Sequence, residues 1–180
     1  MDFNQCIKER RSIRNFTSQK VEHEKLERII ELARFSPSWK NSQTVRYIFV
    51  EDEQLKDKIA NECVSGFVNN SNTIKKAPLL VVIATIKSRC GYERDGSFTT
   101  SKGDGWEMFD AGIATQTFCL ASHSENLGTV VMGIFDEEKL GEAISLPENQ
   151  KVSAIIALGY PTEPVNTPKR KEVSELITYK

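Results

Sequence analysis

Residues 79–85, LLVVIAT, decide the architecture. The run is β-branched, uncharged and nearly continuous in its apolar character, the pattern of a strand covered on both faces rather than one. It is far shorter than the roughly 20 residues a membrane-spanning helix requires. Lys75, Lys76, Ala77 and Pro78 lead into it. A strand covered on both faces needs helices above and below it, and the flanking sequence supplies them.

Upstream, residues 3–11 (FNQCIKERR) predict a short helix with Phe3, Cys6 and Ile7 on one side. Over 22–35, Leu26, Ile29, Ile30 and Ala33 recur at helical spacing while Glu22, Lys25, Glu27, Arg28 and Glu31 face water. Pro37 stops that helix, because its ring removes a donor and restricts the preceding residue. A β-branched and aromatic strand follows at 45–50 (VRYIFV), then an amphipathic helix over 52–64 with Leu55, Ile59 and Cys63 four apart.

Downstream, 87–105 is polar and glycine-containing, a length that marks a lid or binding loop more than a connector. Residues 106–125 are apolar almost all round, which predicts a buried helix, with Gly128 as its left-handed stop. A strand at 129–135, a helix at 136–145 and a strand at 151–159 complete the order. The last twenty residues carry Pro161, Pro164 and Pro168 and read as an arm lying on the body or on a neighbour. The whole is a single α+β domain over 1–180, with about 160–180 as an extended C-terminal arm.

Composition bounds the function. At 180 residues the chain is long enough to remove roughly 70% of its unfolded surface from water. A net charge of -1, from 24 basic and 25 acidic residues, gives no long-range field toward nucleic acid or an acidic membrane. Cys6, Cys63, Cys90 and Cys119 form no CxxC pair, so reduced thiols are expected. The N-terminal MDFNQCIKERR carries no apolar signal core. A soluble, cytoplasmic protein without nucleic-acid or membrane partners is the expectation. Only His23 and His123 occur, in no ligand spacing and with no GxSxG elbow, which argues against a zinc site or a serine hydrolase. Gly103-Asp104-Gly105 follows no strand and is no dinucleotide fingerprint.

Two segments retain chemical interest. In Arg10-Arg11-Ser12-Ile13-Arg14-Asn15-Phe16, an extended chain puts Arg10, Ser12 and Arg14 on one side and Ile13 inward. Guanidinium forks with a hydroxyl hold a phosphate monoester well. Equally, Lys8, Arg10 and Arg11 at a helix C-terminus simply complement its dipole. In Ser36-Pro37-Ser38-Trp39-Lys40-Asn41-Ser42-Gln43, neutral amides and hydroxyls match the imide edge of a flavin or pyrimidine, or form an ordinary helix-to-strand turn.

Together, RRSIRNF at 10–16 and SPSWKNSQ at 36–43 resemble the FMN-dependent nitroreductase family. KKAP at 75–78, FDAGIATQTF at 109–118, LGTVVMGIF at 127–135, ALGYP at 157–161 and PKRK at 168–171 follow in the family's order. The resemblance covers nearly the whole chain. It implies a central, mostly antiparallel sheet flanked by helices, in an intertwined homodimer whose C-terminal arms exchange, with FMN at each subunit interface. It implies that Arg10, Arg11, Ser12 and Arg14 hold the phosphate and ribityl chain, with Lys169 and Arg170 adding charge. Pro37, Ser38, Trp39 and Asn41 would line the isoalloxazine from the other subunit, Asn70 would reach the pyrimidine edge, and Met132 and Gly133 would lie beside N5 and O4. Lys169, Arg170 and Lys171 read alone are a solvated basic stretch.

Two departures stand out: Met132 where some members carry glutamate, and Thr44 where many have proline. The activity implied is ping-pong hydride transfer from NAD(P)H through flavin N5 to a small acceptor such as a nitroaromatic or quinone, with no obligatory catalytic side chain. The 87–105 segment would shape the substrate face. The alternatives are a flavin-binding protein, a relative specialised in flavin breakdown or reductive dehalogenation, and a flavin-free structural dimer.

Overall fold

The computed structural model describes residues 2–180. Four strands form one sheet in the order β1-β2-β4-β3: β1 (Val45–Val50), β2 (Leu79–Ile86), β3 (Gly128–Met132) and β4 (Gln150–Gly159). Every neighbouring pair is antiparallel. The six α-helices are α1 (Phe3–Glu9), α2 (His23–Ala33), α3 (Glu53–Lys58), α4 (Val68–Lys76), α5 (Gly105–Ser124) and α6 (Glu137–Ala143).

β2 is buried along seven of its eight residues, as its unbroken apolar run predicts. Alternation splits the core in two. Leu80 and Val82 face Ile59, Ile74, Leu140 and Ile155 under α4 and α6. Leu79, Val81 and Ile83 face Ile29, Phe118, Ile156 and Leu158 under α2 and α5. The helices thus lie on both faces of an antiparallel sheet, the α+β arrangement expected from the sequence.

Four local readings change. The predicted 52–64 helix is α-helical only to Lys58 and then widens into a π-helical turn, Ile59–Cys63. Helix α4 was not predicted, because Asn69, Asn70, Ser71 and Asn72 are weak helix formers. Tertiary contact supplies what propensity lacks: Ile74 is fully buried, and the buried Lys56 ammonium, paired with Glu53, caps the α4 exit by donating to the Ala77 and Pro78 carbonyls at 2.8 and 3.2 Å. The left-handed residue after α5 is Asn126 (φ 63°), not Gly128. Gly128 is needed for close approach instead, since a Cβ there would stand 2.6 Å from Ile13. Helix α5 is buried on one side only: Met108, Phe109, Gly112 and Gln116 are exposed along the other.

Candidate functional site

The basic strip runs across one end of the sheet. After α1, the Ile13 amide donates to the Thr129 carbonyl (2.9 Å), and Ser12 pairs with Thr129 as a parallel bridge on the open edge of β3. Phe16 then pairs with Pro161, and the Thr17 amide donates to the Tyr160 carbonyl (2.9 Å). Ile13 and Phe16 are buried wedges that fix the strip, while Arg14 is exposed and Arg10, Arg11 and Ser12 are half-buried. Ile13 inward and Arg14 outward are as expected of an extended segment, but the alternation is not strict: Arg10, Arg11 and Ser12 are equally half-buried, and Phe16, of the same parity as Arg14, is buried.

Arg11 does what the helix-terminus reading requires, and more. Its guanidinium donates to the Lys8 and Arg10 carbonyls (2.6 and 2.8 Å), complementing the C-terminal end of α1. It also donates to the Thr167 hydroxyl at 2.7 Å, which brings the C-terminal tail onto the strip. Lys169 and Arg170 follow two and three residues later, both exposed, with Arg170 donating to the Pro168 carbonyl (3.1 Å). Among the described residues, the Arg14 guanidinium has a single long hydrogen bond, to the Ser12 carbonyl at 3.3 Å.

The other end of β3 carries a second set. The Met132 side chain is buried in the core under α4 and α6, so only its main chain is available at the surface. Replacing a polar residue here therefore leaves the edge intact. Gly133 is exposed, with nothing within 4 Å of where a Cβ would lie. The Asn70 amide donates to the neighbouring Ile134 carbonyl (3.0 Å), leaving its oxygen free. From Thr129 to Gly133 the strand advances about 13 Å. One open edge thus joins a guanidinium and hydroxyl cluster to an exposed main chain.

The Pro37–Asn41 segment lies elsewhere. Trp39–Asn41 is a 3-10 turn in which Lys40 (φ 46°) and Asn41 (φ 55°) are left-handed. The Trp39 amide donates to the Asp110 carboxylate on α5 (2.8 Å), and the Trp39 ring packs on Trp106 with centroids 4.6 Å apart. Beside the turn is a cavity of about 410 Å³ lined by Pro37, Ser38, Thr44, Tyr47, Asp110 and Ala114, among others. The Trp39 indole nitrogen and the Ser42 and Thr44 hydroxyls are buried without a hydrogen-bond partner among the described residues.

Arg10 and Arg11 instead line a cavity of about 530 Å³ with His123, near the other end of α5. From Asp110 to His123 the helix rises about 20 Å. Within one chain, the structure brings Arg10 and Arg11 together with the tail segment around Thr167, sets Ser12 beside Thr129 on β3, and places Asn70 against Ile134, the residue after Gly133. It does not bring Pro37, Ser38, Trp39 or Asn41 to any of these. His123 is half-buried rather than a free surface group: burial pulls its pKa below the ordinary value, Glu9 acts in the opposite sense, and its Nε2 has no partner.

The 87–105 segment is ordered by specific contacts. The Thr99 amide donates to the Gly91 carbonyl (2.9 Å), and the Tyr92 and Phe98 rings pack at 4.9 Å. Two buried carboxylates of α5 that sequence reading passed over hold its start. Glu107 accepts the Ser88 amide (2.7 Å) and pairs with Lys151 (2.6 Å), and Asp110 accepts the Cys90 thiol (3.0 Å). Burial alone would lower the Lys151 pKa, but the bond and charge of Glu107, with Asp104, outweigh it and leave it raised. The available signal was two acids, three apart, inside an otherwise apolar helix.

A model described as the nitroreductase family matches residues 7–73 and 67–160. Among solved structures, a nitroreductase family protein from Clostridium novyi NT is 31% identical, with a TM-score of 0.79 over 91% of this chain and 87% of that one. The chain is 30% identical over 172 residues to an FMN reductase [NAD(P)H] of Bacillus subtilis, covering 89% of this chain and 67% of the relative. It is 29% identical over 203 aligned positions to an oxygen-insensitive NADPH nitroreductase of Helicobacter acinonychis, covering 97% and 95%.

Proposed function

We propose an activity from one premise, that the chain belongs to the nitroreductase family: it is an FMN-dependent oxidoreductase that takes electrons from NAD(P)H and reduces small acceptors such as nitroaromatics or quinones. The relatives named FMN reductase and NADPH nitroreductase support the general kind. The observation that carries the reading is the open edge of β3, where Ser12, opposite Thr129 and two residues before the exposed Arg14, stands about 13 Å along the strand from the exposed main chain of Gly133. That spacing suits a ligand with a phosphate at one end and a planar hydrogen-bonding head at the other.

The residues present fit FMN. Arg14, with one long contact and an exposed guanidinium, would take the phosphate together with Arg10, and Ser12 would add a hydroxyl. Arg11 would anchor the Thr167 segment so that Lys169 and Arg170 add charge there. The main chain at Met132 and Gly133 would meet the polar edge of the ring, with the free Asn70 oxygen beside it. Bound FMN would supply hydride chemistry between donor and acceptor, and the protein would supply orientation, charge and water exclusion.

The unpartnered polar atoms around Trp39 then belong to the second half of the site. Because that half sits near the opposite end of α5 from Arg10, it would serve the cofactor of a second copy. The open α5 face with Met108, Phe109 and Gly112 supports such a homodimer, as does the tail, whose Val173, Leu176, Ile177 and Tyr179 are exposed. Exchange of these arms between copies is part of the proposal. Among the described residues no helix is long and apolar enough to cross a membrane. All four cysteines are free and buried, in keeping with a reducing, cytoplasmic setting.

The test is an absorption spectrum of the purified protein with FMN, before and after anaerobic NADPH or NADH. A flavin spectrum that bleaches with either donor and returns on adding a nitroaromatic or quinone is expected. A protein that stays colourless with added FMN, or yellow and unbleached, overturns the assignment. Steady-state kinetics should give the parallel lines of a two-step mechanism through one site.

A further inference from the structure

Asp110 is 3% exposed on α5, yet among the described residues its carboxylate belongs to no ion pair. One oxygen, Oδ2, accepts two donors from separate segments: the Trp39 amide at 2.8 Å and the Cys90 thiol at 3.0 Å. Both bonds converge on the same carboxylate oxygen, so the two segments are held against one point of the helix. Burial first, and then the Asp110 bond, push the Cys90 thiol up to about 12, so it stays a donor at neutral pH.

The turn so held is one that resists forming unaided. Lys40 and Asn41 are consecutive non-glycine residues in left-handed backbone, and Gln43 (φ 50°) is a third. Such a turn persists only where its surroundings over-determine it. The Gln43 amide closes it locally on the Ser38 hydroxyl (3.0 Å). The Asp110 bond to Trp39 ties it to the rigid helix. Three residues earlier on α5, Glu107 fixes Ser88, so the segment carrying Cys90 is itself anchored.

We infer that Asp110 is a positioning residue: its buried carboxylate sets the backbone of the Trp39 turn, and through it the angle at which Pro37–Asn41 covers a bound flavin. The inference rests on the FMN reading above. It predicts that the carboxylate acts on cofactor binding without touching the cofactor, through one amide.

The experiment uses full-length wild type, Asp110→Ala and Asp110→Asn, each titrated with FMN and followed by the visible circular dichroism of the bound flavin. Hydrogen exchange of the Trp39 amide is measured on the cofactor-free proteins. Asp110→Ala should lose Trp39 amide protection, weaken FMN binding at least 10-fold and alter the flavin dichroism, while amides in the middle of α5 stay protected. Asp110→Asn keeps one oxygen as a weaker acceptor and should fall between, within about 3-fold of wild type.

A purely structural role would lower thermal stability but leave affinity and dichroism of the folded protein unchanged, and that result overturns the inference. If Asp110→Ala does not fold, Asp110→Asn decides: faster Trp39 exchange with an unchanged flavin signal overturns it equally. Wild type that binds no FMN overturns the functional reading and this inference with it. Wild type and both variants binding FMN identically overturns the inference alone.

Discussion

The Arg11 guanidinium donates to the Thr167 hydroxyl across 2.7 Å, joining residues 156 positions apart in the chain. This bond fastens the beginning of the C-terminal arm to the basic strip of its own chain. Whatever the arm does beyond Thr167 begins from that point.

Removing residues 167–180 should therefore weaken FMN binding, because Lys169 and Arg170 leave with the bond. Each exposed charge contributes modestly, so a loss of about 10-fold is expected. Fluorescence titration of FMN checks it, and the loss should diminish at high salt.

Arg14→Ala should weaken FMN binding about 10- to 100-fold, the value of one charge-assisted bond to a phosphate. Arg14 is exposed and makes only the 3.3 Å contact to Ser12, so the melting temperature should barely move. Unchanged affinity would remove the phosphate assignment.

Met132→Ala should do the reverse. The side chain is 4% exposed within the core under α4 and α6, so truncation should cost about 2–5 kcal/mol by urea denaturation. FMN affinity of the folded protein should stay near wild type, since only main chain faces the site. A weakened cofactor with intact stability would contradict this geometry.

Hybrid dimers test the two-chain site. Pairing an Arg14→Ala chain with an Asp110→Ala chain puts both lesions in one site and none in the other if each site draws on both chains. The hybrid should then bind one FMN per dimer with wild-type affinity. Two equally weakened sites would mean that each is built within one chain.

Alkaline stability carries the signature of Cys90. Burial and the Asp110 bond raise its pKa from 9.0 to about 12 in the folded protein. The stabilisation is full below about pH 9 and is lost as pH rises toward about 12, because the unfolded thiol releases its proton first. Tyr47, raised to about 12 by burial, titrates in the same range. Cys90→Ser, which keeps a donor to Asp110 but does not titrate, should therefore flatten the decline in melting temperature above pH 9 without abolishing it.

Much of this was legible in the chain. The unbroken β2 run, the α2 stripe and the order of motifs gave the α+β fold and the family, since burial on both faces excludes alternation and a helix stripe must face a core. In an extended 10–16 stretch, Ile13 inward and Arg14 outward followed from the sequence, but the burial of Phe16 did not, because it comes from the pairing with Pro161. Helix α4 was hidden because its asparagines disfavour a helix that the Ile74 contacts then enforce. Asp110 and Glu107 were passed over because an acid in an apolar helix has no meaning until its donors are known.

The sequence by itself determined the layers, the strand pattern and the chemical kinds of group available, because these depend on local periodicity and side-chain type. Only the tertiary structure decided which groups meet. Arg11 reaches Thr167, Asp110 reaches Trp39, and the basic strip and the Trp39 turn stand near opposite ends of α5. Such meetings are set by how the helices dock on the sheet, which depends on packing of the whole core and on no short segment of it.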